Sequence, residues 1–276
     1  MEHRAHHGHS DVDWASAAES LDLDGEVLGS TLRDVTASLG VLAPSARRIL
    51  DLGCGTGTGT FALAATFPAA HILAVDGSAA LLAHLQSRAD GLGIDQRVTT
   101  LQADLDQMWP EIGPIDVTWA GMSLHHFADP DRVLVDVRRS TRPGGVVAVF
   151  EMDGPLRFLP DGGLGDVESR CYAVSEQQHA AAMPHRGADW APRLERAGFV
   201  DVQVHRIVID LRAPLHPLTG RYAQRSLQGL RAAVAGRVPA DDLAVLDSLL
   251  AGDALLHRED LNIRGARTLW TGRRAG

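Results

Sequence analysis

From Arg48 to Glu151, short apolar runs alternate with stretches of helical period. The run at Arg48-Ile49-Leu50 predicts a strand, the glycines that follow a tight turn, and Phe61-Ala62-Leu63-Ala64 a helix that Pro68 ends. His71 to Asp76 reads as a second strand. Ser78 caps a helix through Leu81, Leu82, Leu85 and Ala89, with Gly91 as its stop. Arg97 to Gln102 and Ile115 to Ala120 read as the third and fourth strands. Asp129-Pro130 caps a helix with Val133, Leu134 and Val137 on one side, and Pro143-Gly144-Gly145 turns into a fifth strand, Val146 to Glu151. Crossovers of this length predict a parallel sheet.

The flanks are less regular. Leu28, Leu32, Val35 and Leu39 share one helical face ahead of the sheet, with Gly40 as its stop, and Trp14 and Leu21 suggest a shorter helix before it. Residues 13–43 therefore read as N-terminal helices laid over the ligand edge as a lid, and residues 44–276 as the main domain. From Met152 the rhythm breaks, and Asp153 to Gly187 is rich in Gly, Pro and polar residues. It returns with a helix at Trp190 to Ala197, a sixth strand through Val200, Val202, Val204 and Ile207, two helical pieces between Leu218 and Leu255, and a last strand from Arg267 to Gly272. Two insertions, about 152–188 and 213–264, exceed what such a sheet needs and read as binding elements or caps.

The candidate chemistry centres on Asp51-Leu52-Gly53-Cys54-Gly55-Thr56-Gly57. A strand, a glycine turn and a helix open an α/β nucleotide-binding sheet, because glycine lets the backbone bend with positive φ and lie against a ligand. Asp51 can accept hydrogen bonds from that ligand or brace the turn. The spacing is G-x-G-x-G after an acid, which differs from the G-x-G-x-x-G of a dinucleotide site. No Gly-Lys-Ser/Thr follows, which excludes a P-loop. Asp76 ends the second strand about twenty residues beyond the turn, where a carboxylate holds a ribose diol.

Composition narrows the field further. A net charge of -9 among 276 residues argues against a nucleic-acid surface. No apolar run is long enough for a membrane span, and the polar start carries no signal-peptide pattern. Cys54 and Cys171 read as free thiols of a cytoplasmic protein. All 26 basic residues are arginine, which rules out lysine Schiff bases and suggests a high-GC bacterial source. Asn262 is the one asparagine, so an Asn-Pro-Pro-Tyr loop is absent. Residues 1–12 hold His3, His6, His7 and His9 and read as a disordered tail with no functional metal site. His179, His185 and Asp189 lack any standard metal spacing.

The glycine stretch resembles the cofactor motif of class I S-adenosylmethionine (SAM)-dependent methyltransferases. The match continues through Ile115 to Pro130, which resembles that family's fourth-strand motif in its small-molecule branch, and through Arg142-Pro143-Gly144-Gly145, which resembles its Leu-Lys-Pro-Gly-Gly. It covers about 47–151. The resemblance implies a Rossmann-like α/β fold: a seven-stranded, mostly parallel sheet with helices on both faces, an antiparallel seventh strand, and a helical cap from the N-terminus and the two insertions. It implies cofactor contacts from Asp51, Gly53, Cys54, Gly55, Gly57, Asp76, Gly77, Ser78, Asp104, Leu105, Ala120 and Gly121, with Asp104 on the adenine amine and S-adenosylhomocysteine as product. A small-molecule hydroxyl acceptor in bacterial specialised metabolism would need a base near the ends of the fourth and fifth strands, where His125, His126 and Glu151 are the candidates. Arg157, Tyr222 and Arg225 are further residues that could touch an acceptor.

Two other functions fit parts of the pattern. A NAD-type oxidoreductase shares the glycine turn and ribose acid, but the glycine spacing and Asp104 oppose it. A SAM-binding protein with a non-methylating or regulatory role would share every cofactor feature. A homodimer is compatible with each of these.

Overall fold

The computed structural model describes residues 14–276. The tail with His3, His6, His7 and His9 lies outside the described residues. Two helices, α1 (Trp14–Val27) and α2 (Gly29–Leu42), precede the sheet. The core then runs β1 (Arg48–Leu52), α3 (Thr58–Thr66), β2 (His71–Asp76), α4 (Ala79–Gly91), β3 (Val98–Gln102), β4 (Ile115–Gly121), α5 (Pro130–Ser140) and β5 (Thr141–Met152). The remainder is α6 (Gly163–Ala182), α7 (Ala191–Arg196), β6 (Phe199–Leu211), α8 (Thr219–Ala233), α9 (Ala240–Leu250) and β7 (Ile263–Arg274).

The seven strands form one sheet in the order β3-β2-β1-β4-β5-β7-β6. The pairs from β3 through β5 are parallel, while β7 runs antiparallel to both β5 and β6. The order reverses beside β1, so the ends of β1 and β4 flank the crevice where open α/β sheets hold ligands. In β1 all residues after Arg48 are buried, the continuous apolar pattern of a central strand covered on both faces. Helix starts follow local chemistry. The Ser78 hydroxyl accepts from the Leu81 amide, and the Asp129 carboxylate accepts from the Arg132 amide with Pro130 in the first turn.

Several boundaries differ from the sequence expectation. Asp95–Arg97 is a single 3₁₀ turn, so β3 begins at Val98. Gly40 does not stop α2, which continues to Leu42 because its buried Val35, Thr36 and Leu39 hold it on the core. β5 starts at Thr141: Ile115 pairs with Thr141 and Val117 with Val146, so the Pro-Gly-Gly segment is a bulge within the strand rather than a turn before it. The largest difference is α6, which occupies 20 residues of the stretch that had read as irregular. Val167, Cys171 and Tyr172 lie buried on its inner side.

Two apolar layers sandwich the sheet. One contains Leu50, Leu52, Val133, Leu134, Val137, Trp190 and Trp270, and the other Leu39, Ile49, Leu63, Phe67, Trp119 and Phe150. A further core sits beyond the strand ends and joins Leu23 and Val27 of α1, Val167 and Tyr172 of α6, Tyr222 and Leu227 of α8, and Leu246 of α9. Among the described residues no helix is long and apolar enough to cross a membrane.

Gly57, the residue before α3, adopts φ 89°. A Cβ there would lie 2.7 Å from Leu85 Cγ and 3.0 Å from a Phe61 ring carbon. Strain and overlap act together, so Gly57→Ala is expected to destabilise the protein by about 1–3 kcal/mol. A urea midpoint equal to wild type would refute this.

Candidate active site

The turn between β1 and α3 carries Gly53, Gly55 and Gly57, all at positive φ. It is tied to its neighbours by backbone bonds: the amides of Gly53 and Cys54 both donate to the Val75 carbonyl, at 2.8 and 3.0 Å. From the other side the Ser123 hydroxyl donates to the Leu52 carbonyl at 2.6 Å. The turn is thus clamped between the ends of β2 and β4 before any ligand contributes.

Asp51 braces the turn through α3. Asp51 is buried and accepts a 2.6 Å hydrogen bond from the Thr60 hydroxyl. Burial pushes its carboxyl up to about 7; the Thr60 bond opposes the shift and the nearby Asp76 charge adds to it. An acid with a raised folded-state pKa binds more protons folded than unfolded, so stability falls as pH rises from about 4 to 7. Asp51→Asn is expected to flatten that slope in urea unfolding. An unchanged slope would remove Asp51 as its source. Cys54 is buried beside it, and burial followed by the Asp51 and Asp76 charges drives its thiol well above the usual range. It therefore contributes backbone and shape, with no thiolate chemistry.

Asp76 ends β2 half-buried, with one oxygen accepting from the Gly55 amide and the other from the Ser78 amide, both at 2.9 Å. Each oxygen retains a lone pair for a further donor. Gly77, beside it, is exposed. Asp104 lies just past β3, exposed, and accepts from the Asp106 amide at 3.0 Å, while Leu105 is buried behind it. The Ala103 amide bonds the Asp76 carbonyl, which brings the two acids to neighbouring strand ends.

Ala120 and Gly121 close β4 against Val149 and Phe150 of β5. Met122 then takes φ 57°, an uncommon conformation for a residue with a side chain, held by a 2.7 Å bond from its amide to the Phe150 carbonyl. This kink delivers His125 to Glu151. His125 Nδ1 and Glu151 Oε2 are 2.6 Å apart, and both side chains are at least 95% buried. Glu151 fixes the ring with Nδ1 protonated, which leaves Nε2 to take a proton. His126 packs on the His125 ring with centroids 4.0 Å apart. Lost hydration, then the His125 and Arg186 charges, hold its pKa down at about 4.

The remaining candidates separate. His185 meets Arg193 at 3.2 Å, His179 meets Ser175 at 3.4 Å, and among the described residues no group of three His, Cys, Asp or Glu side chains could hold a metal ion. Arg157 lies over the Tyr172 ring, and Arg225 pairs with Glu19. Tyr222 donates 2.5 Å to Asp24, whose carboxylate also holds Arg267. Sequence reasoning named Tyr222 but gave no role to Asp24, Ser123 or Arg267. The available signal was Arg267 itself, a charged side chain inside a strand with apolar surroundings.

Comparison with known proteins bears on the domain and its fold. Residues 49–145 match the family model described as a methyltransferase domain. A trans-aconitate 2-methyltransferase of Acidovorax is 36% identical over 62% of this chain and 58% of its own length. A malonyl-[acyl-carrier protein] O-methyltransferase of Brevibacillus brevis is 30% identical over 58% of this chain and 57% of its own. The chain thus spans less than two thirds of these curated relatives. Among solved structures, a putative methyltransferase from Bacillus halodurans superposes with TM-score 0.55 at 20% identity, covering 87% of this chain and 99% of that one. A Haemonchus contortus phosphoethanolamine N-methyltransferase with bound S-adenosylhomocysteine gives 0.51 at 18% identity, over 86% and 51%. The 3-2-1-4-5-7-6 sheet is thus shared with solved methyltransferase structures, and residues 49–145 are similar to a methyltransferase domain.

Proposed function

We propose that this protein transfers a methyl group from SAM to a hydroxyl oxygen of a small molecule, in the cytoplasm of a bacterium and within specialised metabolism. The residues present suit the cofactor: a side-chain-free turn for close approach, the Asp76 carboxylate for the ribose diol, and the Asp104 carboxylate for the adenine amine. SAM supplies a sulfonium methyl open to in-line attack. Because that methyl is already activated, the protein's tasks are to position the acceptor, exclude water and take up a proton.

The observation that carries the proposal is the buried His125–Glu151 pair at the ends of β4 and β5. His125 Nε2 takes the acceptor's hydroxyl proton, and Glu151 stabilises the imidazolium that forms. His126, held neutral above pH 5 by its depressed pKa, stacks on the His125 ring.

Methyl transfer to a carboxylate oxygen is the second reading. It is favoured by the names of the relatives, whose trans-aconitate and malonyl groups carry carboxylates. A carboxylate needs no base, so pH separates the two. Initial rates of S-adenosylhomocysteine release over panels of hydroxyl and carboxyl acceptors test the proposal. A pH-dependent rate on a hydroxyl acceptor that His125→Ala abolishes supports it. A pH-independent rate on carboxylates alone would replace it with the second reading, and no product with either panel would favour a non-methylating role.

A further inference from the structure

Away from the glycine turn, Asp24, Tyr222 and Arg267 form a charged knot over the end of the sheet. Arg267 of β7 is 7% exposed and lies 5.7 Å from the Phe150 ring centroid. It is paired with Met152 of β5, one residue beyond Glu151, whose carboxylate also acts on its charge. The guanidinium is gripped in a two-pronged arrangement by a single carboxylate: Nη1 donates to Asp24 Oδ2 at 3.1 Å and Nη2 to Oδ1. The Tyr222 hydroxyl donates to the same Oδ1 at 2.5 Å.

The three groups belong to different parts of the chain. Arg267 sits on a buried strand and Tyr222 in the apolar core joining α6, α8 and α9, so both are fixed. Asp24 sits on α1, with its side chain 25% exposed. α1 rests on the glycine turn: an added Cβ on Gly55 would lie 3.3 Å from Leu21 Cδ1, and one on Gly25 would lie 2.4 Å from the Thr58 side chain. Asp22 of the same helix is tied to His84 and Arg88, and Arg88 reaches the Thr56 carbonyl. A ligand lying along the turn's main chain would meet α1 on that face. A shift of α1 would take Asp24 with it and leave a buried guanidinium and a phenol at the spacing of one carboxylate. Without Asp24 the guanidinium loses its one bidentate partner and keeps only the more distant Glu151 charge, so the position favours a new anion.

We propose that Arg267 and Tyr222 form an acceptor subsite for a carboxylate group, with Asp24 as the internal occupant that fills it while α1 is seated. The subsite rests on the methyl-transfer reading and specifies it: the acceptor is an organic acid whose carboxylate is held on β7 while its reacting oxygen faces His125. Two donors from the guanidinium give a carboxylate both direction and distance, which a neutral group cannot match.

Calorimetric titration of malonate, with malonamide as the neutral control, tests the subsite on the protein with and without S-adenosylhomocysteine. Asp24→Asn is expected to bind malonate at least about tenfold more tightly than wild type, because the internal competitor is weakened. Tyr222→Phe in the Asp24→Asn background is expected to lose several-fold, Arg267→Gln to abolish saturable binding, and malonamide to give no heat. Equal malonate affinity in wild type and Asp24→Asn would overturn the proposal, as would binding that survives Arg267→Gln. If Arg267→Gln fails to fold by circular dichroism, the Asp24→Asn and Tyr222→Phe results decide. Absence of S-adenosylhomocysteine heat in wild type counts against the cofactor reading alone, because the malonate titration without it still judges the subsite.

Discussion

His125→Ala is expected to slow methyl transfer by about 10²- to 10⁴-fold, the range lost when a positioned general base is removed. The effect follows from geometry. The 2.6 Å contact with Glu151 orients the ring and supplies a negative charge that stabilises the imidazolium only once it forms. Glu151→Gln keeps the shape and removes that charge, so its loss should appear in turnover more than in acceptor KM. His126→Ala is expected to change turnover little, because a ring held near pKa 4 neither accepts the proton nor shapes a profile between pH 6 and 9. Full activity in His125→Ala, with circular dichroism confirming a folded protein, would remove the base from the mechanism.

Asp76→Ala is expected to weaken SAM binding by about 2 kcal/mol or more, roughly a 30-fold rise in Kd, as a pair of charge-assisted hydrogen bonds to the ribose is lost. Its two bonds to the Gly55 and Ser78 amides make the carboxylate a brace for the turn as well as a ligand contact. Asp76→Asn, which keeps one acceptor oxygen, should fall between the two. An unchanged Kd by calorimetry would refute the ribose assignment.

The parallel half of the fold was legible in the sequence because its signals are local. Gly53, Gly55 and Gly57 announce their backbone conformation, and Ser78 and Asp129 announce their helices. Helix α6 was not legible for a local reason too. Its start carries Gly162, Gly163 and Gly165, and its inner face mixes Val167, Cys171 and Tyr172 with buried Glu168, which bonds the Phe158 and Leu159 amides. Polar residues serving the backbone interrupt the apolar stripe that would have revealed it.

At the site, His125 and Glu151 each drew attention alone, but their pairing depends on the register of β4 against β5 and on the kink at Met122, neither of which is written in one segment. Asp24 and Arg267 are 243 residues apart and meet only because α1 folds over the end of the sheet. Asp51 adds a partner that adjacency to the glycines does not show: the hydroxyl of Thr60, in the first turn of α3.

The central claim is that the glycine turn with Asp76 and Asp104 holds SAM. Calorimetric titration of the full chain with SAM, and separately with NAD, tests it most directly. One molecule of SAM per chain with saturable heat, displaced by S-adenosylhomocysteine, and no binding of NAD is the predicted result. Tight binding of NAD with no heat from SAM would contradict it.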